Sequence, residues 1–148
     1  MSFVIKLKDN ELETFLEYEK ELIRSTARMN LIWIDFYQPE NLCLTCLRVR
    51  YKNDGSFNQI EHISHMIDKG FGKCDSIVAW YMAVFSYYDI ESEPVLVKRS
   101  DNELHAQLEI IKNGNRILLD PSITIKKLDS EFCNICNKKG ASKNAMFK

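Results

Sequence analysis

Long apolar runs are missing from this chain, and no segment approaches the length a membrane-crossing helix requires. An excess of charge of one sign is missing too: 20 Lys and Arg stand against 21 Asp and Glu, a formal net charge of -1. A broad basic surface for nucleic acid is therefore not expected. Met1 to Asn10 alternates charged with apolar residues and lacks the build of a secretory leader. Internal repeats and low-complexity segments are absent as well. These absences together predict a cytoplasmic protein with no nucleic-acid and no membrane partner. What remains is 148 residues that are 45% hydrophobic, enough for one globular domain with its own core.

Hydrophobic spacing divides that domain into three parts. A helical part spans 1–70, a core 71–122 and a tail 123–148. Leu12, Phe15, Leu16, Leu22 and Ile23 recur at helical spacing over Asp9 to Ala27, with Asp9 or Asn10 available as cap. Leu31 to Tyr37 is a short apolar run of either type. Pro39 predicts a second helix through Cys43, Cys46 and Leu47, although Leu47 to Tyr51 also suits an extended segment. Asn53-Asp54-Gly55 marks a turn, and Ile60 to Ile67 a short helix ending before Gly70. Beyond the loop Gly70-Phe71-Gly72-Lys73, Cys74 opens a helix through Tyr88. Its broad apolar face (Ile77, Val78, Trp80, Tyr81, Val84, Phe85) predicts the central buried helix. Three strands follow, at Pro94–Arg99, Glu103–Ile111 and Arg116–Asp120. The tail from Ile125 carries six lysines against Asp129 and Glu131, a count of +4.

Of five cysteines, four fall in the pairs Cys43/Cys46 and Cys133/Cys136, and Cys74 stands alone. A lone cysteine is usually a small buried hydrophobe. One at the first turn of a helix differs, because the positive end of the macrodipole and unpaired backbone N–H groups both favour the thiolate. The same N–H groups can donate to an oxyanion, and the preceding glycines leave room for a substrate to approach.

A thiol nucleophile needs a nearby base that is held by a third group. His62 and His65 sit on the helix before the glycine loop and read as surface or part-buried side chains. His105 is the stronger base because of strand geometry. Asn113-Gly114 is the strongest hairpin signal here. As a two-residue loop it places Lys112 opposite Asn115, Ile110 opposite Ile117, Leu108 opposite Leu119 and Gln107 opposite Asp120. Leu104, Ala106, Leu108, Ile110, Ile117 and Leu119 then share an apolar face. His105, Gln107, Glu109, Arg116 and Asp120 share the other, with His105 diagonal to Asp120. A one-residue slip would put Asp120 on the wrong face, against the apolar pattern. The bland alternative leaves His105 as an ordinary strand residue and Asp120 as the start of an Asp-Pro-Ser turn.

Gly72-Lys73-Cys74-Asp75-Ser76 with its aromatic-rich helix resembles the Gly-x-Cys-Asp-Asp stretch of bacterial and phage transglutaminase-like cysteine peptidases. Tyr88-Asp89-Ile90 with Pro94-Val95-Leu96-Val97 resembles the Gly-Ile turn and strand of that family. Leu104-His105-Ala106-Gln107-Leu108-Glu109 resembles its His-Ala-x-x-Glu strand, and Leu119-Asp120-Pro121-Ser122 its Asp-Pro motif. The match runs from about Ser56 to Ser122 in family order. It implies an α+β, papain-like core in which a central Cys helix packs on an antiparallel sheet carrying His and Asp. It also implies acyl chemistry on peptide or protein amides through a thioester, with Cys74, His105 and Asp120 as triad and no cofactor required for catalysis. Lys73 departs from the family pattern, as do Ser76 in place of the second acid and Asp89 in place of glycine. Gln59 and Trp33 are the side chains proposed for the oxyanion.

Cys133-Asn134-Ile135-Cys136 resembles a zinc knuckle, and Cys43 with Cys46 would complete a four-thiolate structural zinc site. Peptide:N-glycanases also carry such pairs beside a transglutaminase core, but upstream of the nucleophile. Reduced unrelated thiols and redox-active pairs are the alternatives. A second functional class stays open beside the enzyme: a zinc-stapled interaction module that keeps the fold without catalysis.

Overall fold

The computed structural model describes residues 9–34, 42, 44, 47–52, 60–98 and 104–120. The chain order is α1 (Asp9–Trp33), β1 (Arg50–Tyr51), α2 (Ile63–Lys69), β2 (Phe71–Gly72) and α3 (Cys74–Tyr87), then β3 (Glu91–Lys98), β4 (Leu104–Lys112) and β5 (Asn115–Leu119). The class is α+β, with a three-stranded antiparallel sheet ordered β3-β4-β5 and a small parallel pair, β1 with β2.

α3 is the centre of the packing, and its sequence says why. Every residue from Ser76 to Tyr81 and from Ala83 to Phe85 is buried, so the helix is apolar nearly all round. α1 packs against it with Ile23, Ile34 joins the same core just past the helix end, and the sheet contributes Ala106, Leu108, Ile110 and Leu119. Trp80 is fully buried, and its Nε1–H donates to the Leu42 carbonyl at 2.8 Å. Truncating such a core aromatic costs about 3–5 kcal/mol. A second tie joins α1 to the sheet, where Arg24 pairs with Glu93 at 3.0 Å.

The hairpin forms in the register its sequence dictates: Lys112 faces Asn115, Ile110 faces Ile117 and Leu108 faces Leu119. Asn113 and Gly114 both take positive φ, 52° and 79°, as the tight two-residue turn demands. Pro94 pairs opposite Leu108 on β3, an outer strand of this sheet, where its missing N–H is tolerated.

The first helix runs six residues beyond the predicted Ala27, because the undecided apolar run from Leu31 continues it to Trp33. At its described residues, 42, 44 and 47, the helix predicted through Leu47 does not form. Leu44, Leu47 and Arg48 lie in turns, the Val49 amide donates to the Leu44 carbonyl at 2.9 Å, and Arg50–Tyr51 is extended. Leu42 and Leu44 are fully buried, so tertiary packing decides the backbone at this point. α2 starts later than predicted, at Ile63, with His62 as its N-cap. The turn at 53–55 lies outside the described residues.

The glycine loop resolves into three separate roles. Gly70 ends α2 in the left-handed conformation, φ 81°. Phe71 and Gly72 form β2 against Arg50 and Tyr51. Gly72 is small for a packing reason: a Cβ there would come within 2.2 Å of the Met66 sulfur. Its missing side chain therefore makes room for the core as α3 begins.

Candidate active site

Cys74 is the first residue of α3, and Lys73 is the N-cap, extended at φ -82° and ψ 169° without a side-chain cap. The half-buried thiol thus meets the positive end of the helix that contributes more to the core than any other element. Its Sγ accepts a hydrogen bond from the Ala106 amide at 3.4 Å. That contact sets the thiol against β4 at the residue following His105.

His105 is on β4, opposite Val97 of β3, and is 4% exposed. Its Nε2 lies 2.9 Å from both Asp120 carboxylate oxygens. A ring nitrogen against a carboxylate carries the proton, so Nε2–H donates and Nδ1 is the basic nitrogen of the neutral ring. β5 ends at Leu119, opposite Leu108, so Asp120 follows where β4 runs on toward His105. Gln107 completes the group, with its Nε2 donating to Asp120 Oδ2 at 3.4 Å. Hairpin counting had placed Gln107 on this face, but its contact with the carboxylate emerges only in three dimensions. Arg116 and Glu109 form an ion pair farther along the same face.

A second network fixes the first turn of α3. The Ser76 amide donates to Asp75 Oδ1 at 2.7 Å, and the Glu61 amide donates to Ser76 Oγ at 2.8 Å. Ser76 is fully buried and works as an anchor for the segment before α2. Burial pushes the Asp75 carboxyl up, more than the Ser76 amide and Lys73 pull it down. Glu19 of α1 is pushed up as well, by burial first and by Asp75 second. Glu19 carries no signal in the sequence, since only helix packing brings it here.

The other site residues fall elsewhere. Trp33 ends α1, is 46% exposed, and meets the His62 ring edge-on at a centroid distance of 5.5 Å. Gln59 lies outside the described residues, and the chain just after it is held to α3 through Glu61 and Ser76. Cys43, Cys46, Cys133 and Cys136, the proposed zinc ligands, also lie outside them. Among the described residues no group of three or more His, Cys, Asp and Glu gathers as a metal site. No described helix is long and apolar enough to cross a membrane.

Comparisons with protein-family models, curated proteins and solved structures return no match to this chain, so the site is read from its own geometry.

Proposed function

We propose that this protein is a thiol-dependent amide hydrolase or acyl transferase built on a transglutaminase-like, papain-like core. Cys74 is the nucleophile, His105 the base and Asp120 the group that orients the base. One observation carries the reading. A cysteine at a helix start accepts from the Ala106 amide, while the preceding residue, His105, is held by both oxygens of Asp120.

In this mechanism Asp120 fixes Nε2–H of His105, which leaves Nδ1 to take the thiol proton. The helix start and the Ala106 amide stabilise the resulting thiolate. The thiolate sulfur attacks the amide carbonyl carbon and forms a C–S bond, and the oxygen takes the negative charge. The backbone N–H of Cys74 is the proposed main-chain oxyanion donor, with Gln59 and Trp33 as the proposed side-chain donors. The intermediate collapses to a thioester as the C–N bond breaks, and His105 returns its proton to the leaving amine. Water then releases the acid, or a second amine captures the acyl group. A peptide or protein substrate fits a domain of this size, and no cofactor enters these steps. The expected setting is the cytoplasm.

The experiment is intact-protein mass spectrometry after incubation with activated acyl esters and with peptide amides. The reading predicts a thioester adduct on Cys74 and amide turnover, both lost in Cys74→Ala with the circular dichroism unchanged. A folded wild-type protein that forms no adduct would favour the interaction module that retains the fold without catalysis.

A further inference from the structure

The face of α1 turned away from Ile23, Ala27, Asn30 and Ile34 is unusually apolar. Tyr18, Leu22, Met29 and Ile32 are 62%, 37%, 56% and 70% exposed. With Ser25 between them, they recur at intervals of four, three, four and three residues. That is the heptad seam of a helix packed on another helix, and α1 already uses a different stripe for its own core. Scattered exposed apolar residues need no account, whereas a stripe in one register along a 25-residue helix does.

The charges beside the stripe identify the occupant. Residues 9–21 carry six acids and Lys20, a net of -5, while residues 22–33 carry Arg24 and Arg28 and no acid, a net of +2. A parallel second copy would set the acidic half against itself. An antiparallel copy sets each acidic half against the other chain's basic half. Glu21 and Arg28 lie one residue before Leu22 and Met29, at the flank of the seam, with side chains 55% and 63% exposed. They now pair within the helix at 2.8 Å. An exposed pair of this kind contributes little and exchanges readily for an intermolecular one.

We propose that this protein forms a two-fold dimer through antiparallel pairing of α1 with α1 of a second copy. Tyr18, Leu22, Met29 and Ile32 form the seam, and Glu21 of each chain meets Arg28 of the other. One helix per chain is a small interface, so the dimer is a weak, concentration-dependent one. The proposal does not depend on the chemistry assigned to Cys74.

Sedimentation equilibrium of the full chain tests it, at concentrations from about 1 µM to on the order of 100 µM. The expected mass rises toward twice the chain's 17.3 kDa. Ile32→Glu, at an exposed position, abolishes that rise while the circular dichroism stays the same. Glu21→Arg and Arg28→Glu each weaken association at least tenfold, since each sets like charges across the seam. Mixing these two variants restores association as a heterodimer. A mass that stays at 17.3 kDa throughout overturns the proposal. So does a dimer indifferent to Ile32→Glu, or a charge-variant mixture that fails to recover.

Discussion

Two histidines sit in part-buried polar clusters, one held by a carboxylate and the other by a backbone amide. His105 presents Nε2 to both oxygens of the Asp120 carboxylate, each 2.9 Å away. His62 presents Nδ1 to the Ser64 amide, 3.2 Å away at the start of α2, and must accept that bond with an unprotonated nitrogen. Its ring meets Trp33 edge-on, and burial pushes its pKa down, more than the Met29 backbone pushes it up. One partner accepts a hydrogen bond from the ring and the other donates one to it. The same side chain is thus held by a carboxylate in one cluster and caps a helix in the other.

Substituting each cluster sharpens that contrast. The largest effect is expected at the triad. His105→Ala should lower amide turnover about 10²–10⁴-fold, and Asp120→Asn comparably, since an amide NH₂ facing Nε2 favours the wrong tautomer. His62→Ala should leave turnover within a few-fold, as steady-state kinetics on all three proteins would show. Equal losses at His62 and His105 would erase the distinction.

The next effect is structural and lies just before the nucleophile. Gly72→Ala puts a methyl group against the Met66 sulfur, and overpacking of this kind costs about 1–3 kcal/mol. Urea unfolding measures it, and a neutral result would mean that Gly72 is not held against the core.

At His62 the expected effect is smaller and depends on pH. His62→Ala removes a cap and should cost about 1 kcal/mol at pH 8, and His62→Asn should restore much of it. The sign follows from the lowered pKa: the unfolded chain binds the proton more readily than the native one. The His62 contribution is therefore full above the ordinary histidine value of 6.5 and lost as pH falls through the lower folded value. Denaturant midpoints at pH 8 and pH 5 should differ more for wild type than for His62→Ala.

The smallest effect is expected at Asp89, which holds φ at 59° in the turn after α3. Asp89→Gly should raise stability by up to about 1 kcal/mol, as left-handed strain is relieved against the added entropy of glycine. A loss of stability by thermal melting would show that the Asp89 side chain itself holds the turn.

The sequence was most legible where local chemistry had one solution. Asn113-Gly114 permits one tight turn, and alternation through Leu108, Ile110, Ile117 and Leu119 permits one register. Those two constraints brought His105 and Asp120 to the same face. Cys74 was legible because Gly70 ends one helix and an apolar run begins the next. Illegible parts depend on partners distant in sequence. Leu44 and Leu47 lie in turns despite a helix-compatible pattern, because Leu44 is drawn wholly into the core. Glu19 reaches the site through the packing of α1, and Ser76 anchors Glu61 from fifteen residues away. His62 as a cap was missed because histidine is not among the favoured capping residues. Asp89 was noted as a departure from glycine, and its positive φ gives the reason glycine would suit that turn.

Alkylation of Cys74 by iodoacetamide across pH, followed by mass spectrometry in wild type and His105→Ala, tests the central claim most directly. The account predicts rapid labelling well below the ordinary thiol pKa of about 8.5 in wild type, and a return to ordinary thiol behaviour without His105. Labelling that follows an ordinary thiol titration in both proteins would contradict it, because Cys74 and His105 would then not act as a pair.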